Sequence, residues 1–297
     1  MEHSIALVTG STSGLGHAAA LALAREGWHE IIVTGRRLAR IQESAVQLAA
    51  EAKRKVFTLL ELELDKPTSV QSAIAELVKR GFSGPANRPS STDYGIAPSQ
   101  PAETQRADCY LRRGTRPGDV PMFSFTDVSA FAAKHHRGDR TAAIEALLRN
   151  GPNVKYEANR AYADAKLIIA WWVAALARRL PPNMAAYAVS PGSAPDTKAS
   201  RNAGLALKWV FIPLVKLIPG MTQTPEIAAR RYLQASEFGT DASGQFFASA
   251  PKKFTGPLEA MRHPHFHDRV NQEAAWQAVV KVSGVDLSYP APLSVVS

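Results

Sequence analysis

Residues 5–16 read Ile-Ala-Leu-Val-Thr-Gly-Ser-Thr-Ser-Gly-Leu-Gly, and this stretch decides the fold. Its first five residues, Ile5 to Thr9, form a short apolar run that predicts a buried strand. Glycines follow at once, and a helix pattern runs from Leu15 to Glu26. A glycine turn between a strand and a helix lets backbone N–H groups approach a pyrophosphate. The helix N-terminus adds favourable electrostatics for an anion. The spacing is G-x-x-x-G-x-G over Gly10, Gly14 and Gly16, not the G-x-G-x-x-G of the commoner dinucleotide fingerprint. A tight βα turn with no ligand is the plainer alternative.

The pattern repeats downstream. Ile31 to Thr34 is a second apolar run, followed by a helix over Leu38 to Ala52; Val56 to Leu64 is a third, with Pro67 starting a helix to Arg80. Apolar strands alternating with helices mean parallel strands buried on both faces, the first half of a doubly wound α/β sheet in three layers. The second strand ends in Thr34-Gly35-Arg36-Arg37. NAD sites put a carboxylate at this strand end, on the ribose 2′-hydroxyl. Two guanidiniums here fit a 2′-phosphate instead, because arginine clamps phosphate with paired hydrogen bonds. The cofactor reading is therefore NADP, with NAD as second choice. The alternative is a solvated basic helix start, where a cation opposes the helix dipole.

Regular signals return after residue 140. Thr141 to Arg149 reads as a helix, and Tyr156 to Leu180 as a long helix closed by Pro181-Pro182. Ala185 to Val189 is a strand leading into Pro191-Gly192, Pro225 to Ser236 is a helix, and Gly244 to Ser249 is the last strand. Leu258 to Val282 is expected to end the chain in a helical tail. On the long helix Tyr162 and Lys166 stand four residues apart, hence on one face. A neighbouring ammonium favours the phenolate and makes a phenol a usable acid or base.

Composition narrows the classes. The chain has 297 residues, 45% apolar, enough for a sizeable core. Its one cysteine, Cys109, excludes a disulfide framework and a cysteine-based zinc site. The formal charge of +9 favours anionic partners, yet the basic residues are scattered pairs with no interleaved aromatics, so nucleic acid is not expected. The start Met1-Glu2-His3-Ser4 carries no signal-peptide pattern, so a cytoplasmic chain is expected. Gly204 to Met221 is apolar but interrupted by Lys208, Pro213 and Lys216, which reads as an amphipathic surface element rather than a span. His263, His265 and His267 read as a solvated turn with no metal, and His135-His136 as a solvated basic face.

Taken together, TGSTSGLG, TGRR, YADAK and SPGSAPDT, in this order and on these elements, resemble the short-chain dehydrogenase/reductase family. The resemblance covers about residues 1–80 and 150–250, and is nearer the longer retinol-dehydrogenase-like or carbonyl-reductase-like members. It implies one Rossmann-type domain over 1–297 that moves hydride between NAD(P) and a small carbonyl or alcohol. It further implies that Gly10, Ser13, Gly14, Leu15 and Gly16 line the pyrophosphate and that Arg36 and Arg37 hold the 2′-phosphate. Glu63, beside Leu64, would stand where the family contacts adenine, with Asp65 as the nearby alternative. Tyr162 would be the proton donor or acceptor, and Lys166 would bind the nicotinamide ribose. Pro191 and Gly192 would flank the nicotinamide, and Thr197 would reach its carboxamide. Residues 199–221 would form a substrate lid whose apolar face implies a hydrophobic substrate, 258–297 the tail, and the Trp171-Trp172 helix a packing or homo-oligomer surface.

The chain departs from the family between the two matching regions. Residues 81–121 hold six prolines and five glycines, and between Ser83 and Asp119 only Ile96 and Leu111 are large aliphatics. No fourth or fifth strand, no N-N-A-G and no strand-borne serine is readable there. Ser129 is the substitute candidate for that serine, with Ser124 near it. A turn or N-cap role is the competing assignment for Ser129. Two other classes stay open: a catalytically impaired nucleotide-binding protein, and a peripheral membrane protein acting through 204–221. We read 81–117 as a shifted reading frame or an internal replacement, because aliphatics vanish while family pattern stands on both sides. Translating the coding DNA across these codons in its other frames should give an aliphatic strand ending in an N-N-A-G-like turn. If no frame does, the segment is a divergent loop.

Overall fold

A computed structural model describes residues 4–80, 125–192, 220, 222–250 and 253–284. In chain order the strands and helices are β1 (Ile5–Val8), α1 (Gly14–Arg25), β2 (Glu30–Gly35), α2 (Leu38–Ala52), β3 (Phe57–Glu61) and α3 (Pro67–Lys79). Then follow α4 (Val128–His135), α5 (Arg140–Arg149), α6 (Ala158–Ala177), β4 (Ala188–Val189), α7 (Pro225–Ser236), β5 (Phe246–Ala248), β6 (Glu259–Ala260) and α8 (Arg269–Ser283). The chain divides into two compact units, Met1–Tyr110 with Pro182–Met261, and Leu111–Pro181 with Arg262–Ser297.

In the first unit, β1, β2 and β3 pair in parallel in that order, with Val8 opposite Val33 and Val33 opposite Leu59. Both sheet faces are covered. Ile31 and Val33 pack with Ala20, Leu21, Ala24, Ile41 and Leu48 from α1 and α2. Ile32, between them in sequence, points the other way and joins Leu60, Leu62 and Ala73. Period-two alternation with both faces buried is why β2 is apolar from Ile31 to Val33. β4 and β5 pair in parallel, and β6 adds antiparallel to β5. Helix α7 starts at Pro225 with Thr224 as its N-cap, the hydroxyl accepting from the Ile227 amide, and sets Ala229 and Tyr232 against Ala18 and Ala19 of α1. These features make the chain an α/β protein of Rossmann type.

The second unit is helical. Trp171, Leu167 and Ile168 on α6 are fully buried, and the Trp171 indole N–H donates to the His265 carbonyl at 2.6 Å. Trp172 stacks on Trp276 of α8, and Arg179 lies over the same Trp276 ring while donating to both Glu273 carboxylate oxygens. That geometry satisfies a half-buried guanidinium on its edge and its face at once.

Several sequence expectations are corrected. Helix α4 was not anticipated; Asp127 caps it by accepting from the Ala130 amide. The tail is not helical from Leu258: β6 and a 3-10 turn over Pro264–His267 come first, and α8 starts only where Asp268 accepts from the Val270 and Asn271 amides. The third strand stops at Glu61, β4 is two residues long, and α6 spans Ala158–Ala177. His135 and His136 are half-buried against the Phe131 ring rather than a solvated face, and the Nε2 of His136 is buried with no hydrogen-bond partner. Among the described residues no strand lies between β3 and β4. The 81–117 segment, Ser124, the greater part of the 199–221 lid and the end of the tail lie outside the described residues.

Candidate functional site

The first half of the candidate site is the bend between β1 and α1. Gly10 and Gly14 have φ of +66° and +60°, the left-handed region that glycine enters without a Cβ penalty. Gly16 is required for a different reason. A Cβ there would sit 2.5 Å from the Gly10 carbonyl oxygen and 3.0 Å from that of Thr9. The bend therefore closes with helix backbone against strand-end backbone. Ser13 is the N-cap of α1 but its side chain makes no capping bond, and no acidic residue stands in the first turn. This is an electropositive helix start suited to an anion.

The bend is tied to the end of β2. Ser11 is fully buried; its hydroxyl donates to the Thr34 carbonyl at 3.0 Å and accepts from the Thr34 amide at 2.7 Å. The Thr34 hydroxyl donates to the Val8 carbonyl, and that of Ser44 to the Ser11 carbonyl. Gly35 follows, where a Cβ would press on Ile41 and Thr12 at 3.0 Å each. Arg36 and Arg37 come next and are both exposed, Arg37 as the N-cap residue of α2. Past β3, the Glu63 carboxylate pairs with Lys66 at 2.7 Å, its amide donates to the Ser69 hydroxyl, and Leu64 is exposed.

In the same unit, β4 leads into Ser190-Pro191-Gly192, with Gly192 at φ +73°. Three groups hold this turn. The Ser190 amide donates to the Phe247 carbonyl on β5, Gln223 donates to the Pro191 carbonyl, and the buried Arg231 guanidinium donates to the Ser190 carbonyl at 3.0 Å. In the sequence Arg231 is half of a basic pair, Arg230-Arg231, with nothing in the pattern to set it apart. Thr197 lies outside the described residues.

The second unit carries the candidate pair Tyr162 and Lys166. Tyr162 and Lys166 are half-buried on α6, with the Lys166 ammonium 5.5 Å from the Tyr162 ring centroid. One turn of helix brings them together as their spacing predicts. Ser129 sits in the first turn of α4, where its hydroxyl accepts from Arg140 at 3.1 Å. Arg140 also bonds Asp268 and Asn271, so the serine belongs to a cluster joining α4, α5 and α8. The N-cap role falls to Asp127 instead. Among the described residues no group of three His, Cys, Asp or Glu side chains could hold a metal ion, and no helix is long and apolar enough to cross a membrane.

With this geometry established, comparison with known proteins identifies the class. Residues 4–83 match the family of short chain dehydrogenases. The chain is 36% identical over 104 residues to sulfoacetaldehyde reductase 2 of Chromohalobacter salexigens, a match covering 35% of this chain and 39% of that protein. It is 32% identical over 101 residues to sulfoacetaldehyde reductase of the same organism, covering 34% of this chain and 38% of that protein. The matches thus span well under half of either relative. A solved structure of a candidate gluconate dehydrogenase from Agrobacterium tumefaciens shares the fold at a TM-score of 0.50 and 18% identity, covering 86% of this chain and 97% of that one. Over residues 4–83 the chain is therefore similar to the short chain dehydrogenases.

Asp164, between Tyr162 and Lys166 in sequence, was not singled out from the sequence. It is buried, accepting from the Thr126 amide at 2.6 Å and the Thr126 hydroxyl at 2.7 Å. Burial pushes its carboxyl pKa above the ordinary 3.8, with the Thr126 bonds opposing. The folded state therefore binds the proton more tightly than the unfolded chain. Its stabilising contribution is complete below the unfolded value and is lost as pH rises through the folded one. Asp164→Asn keeps an acceptor for the Thr126 amide and removes the ionisation. Denaturant unfolding should find this variant at least as stable as wild type at pH 7, with a flatter pH dependence above pH 4. A clear loss at pH 7 would mean that the ionised carboxylate itself is stabilising.

Proposed function

We propose that the protein is an NADP-dependent oxidoreductase acting on a carbonyl or alcohol of a hydrophobic small molecule. The observation that carries this reading is the glycine bend, closed by Gly16 on Gly10 and bonded through Ser11 to the strand that ends in Arg36 and Arg37. The amides of Ser13, Gly14, Leu15 and Gly16 would face the pyrophosphate. Arg36 and Arg37, exposed and without a carboxylate at the strand end, would take the 2′-phosphate. Glu63 and Leu64 would flank the adenine, and Pro191, Gly192 and Thr197 the nicotinamide. When bound, the nicotinamide would supply or accept the hydride. Tyr162 would pass the proton to or from the substrate oxygen, and the Lys166 ammonium would favour the phenolate and hold the ribose.

The reductase names of the Chromohalobacter relatives support the reaction class. Their substrate is not carried over, because the matches cover 39% and 38% of those proteins. A homo-oligomer, weak membrane contact through 204–221 and a cytoplasmic location go with this reading as proposals. A second reading, a nucleotide-binding protein with impaired turnover, is favoured by one observation. The hydroxyl of Ser129, the substitute for the family's serine, is engaged by Arg140.

Calorimetry with NADPH and NADH tests the reading. NADPH should bind more tightly, and Arg36→Asp should weaken NADPH roughly tenfold to 100-fold while leaving NADH little changed. Tyr162→Phe should retain NADPH binding and lower carbonyl reduction by about 100-fold or more. NADPH binding without any reduction by wild type selects the impaired reading. Equal affinity for the two cofactors contradicts the role given to Arg36.

A further inference from the structure

Arg231 is a guanidinium buried to 4% exposure inside the first unit. Desolvating a cation is costly, so such a group must be heavily bonded. One of its nitrogens donates to the Ser190 carbonyl at 3.0 Å; the other donates to the Ser249 hydroxyl at 2.6 Å and the Gly256 carbonyl at 2.7 Å. It thereby joins the residue after β4, the residue after β5 and the turn before β6. β4 has only two residues, so strand pairing alone gives the following turn little support. The fit is close: a Cβ on Gly192 would lie 2.7 Å from the guanidinium nitrogen and 2.6 Å from the Gln223 amide nitrogen.

The same helix reaches the other half of the site. α7 packs Ala229 and Tyr232 against Ala18 and Ala19 of α1, the helix that opens at the glycine bend. One rigid element thus contacts the helix behind the pyrophosphate bend and, two residues from Ala229, clamps the Ser190–Gly192 turn. We propose that Arg231 is a positioning residue for the nicotinamide end of the cofactor site, fixing the turn at the carboxyl end of β4 relative to α1. This rests on the dinucleotide reading above. In parallel sheets the ligand lies outside the carboxyl ends of the strands, where this turn stands.

A residue that only stabilises the fold would affect both ends of the cofactor alike. One that places this turn affects only the nicotinamide end. The test compares NADPH with adenosine 2′,5′-bisphosphate, which carries the 2′-phosphate and adenine but no nicotinamide. Arg231→Lys, which cannot reach three oxygens, and the milder Ser249→Ala, which removes one of them, are titrated with both ligands by calorimetry after circular dichroism at matched temperature. Arg231→Lys should weaken NADPH roughly tenfold and Ser249→Ala by a smaller factor, with the bisphosphate unchanged in both. Equal weakening of both ligands, or of neither, in folded Ser249→Ala and Arg231→Lys overturns the proposal. If wild type binds neither ligand, the dinucleotide reading itself fails and this inference falls with it.

Discussion

The bend between β1 and α1 depends on a contact that leaves no room for a side chain. The first turn of α1 approaches the end of β1 until the Gly16 α-carbon faces the Gly10 carbonyl, at a spacing where a methyl group would clash at 2.5 Å. Only that approach aims the first amides of α1 across the end of the sheet. Ser11 makes the bend rigid, because its buried hydroxyl both gives to and takes from the Thr34 backbone in place of a strand neighbour. An unmade bond there would leave a buried polar group unsatisfied. The strand end carrying Arg36 is in this way coupled to the bend.

The first unit was largely legible in the sequence for a simple reason. β2 is buried on both faces and β1 and β3 partly so, and each carries a short apolar run between a glycine or charged turn and an amphipathic helix. α2 was read to its observed bounds and α3 ended one residue short. What escaped was whatever depends on partners distant in sequence. Arg231 is one arginine of a pair on a helix surface until Ser190, Ser249 and Gly256 are brought around it. Asp164 looks like an ordinary helix residue until Thr126 closes over it. α4 is only eight residues long and follows a stretch with no readable pattern, although Asp127 stands as an N-cap signal. The tail misled because Leu258 to Val282 has helical composition, while Pro264 and the Asp268 cap delay the helix.

Tyr162 and Lys166 are brought together by one element alone. Their geometry follows from helix spacing, and the ammonium lies near the phenol ring as that spacing requires. The family match ends at residue 83, within two residues of the start of the proline-rich stretch at 81. A chain that keeps the family's bend and its helix-borne tyrosine but lacks its readable asparagine and serine motifs would bind cofactor more readily than it turns over.

Amide hydrogen exchange of the full chain, with and without saturating NADPH, tests the proposed cofactor role directly. The account predicts slowed exchange in peptides covering 9–17 and 34–40, together with slowed exchange in 160–168 around Tyr162 and Lys166. Protection confined to the first two peptides, with 160–168 unchanged, would contradict it.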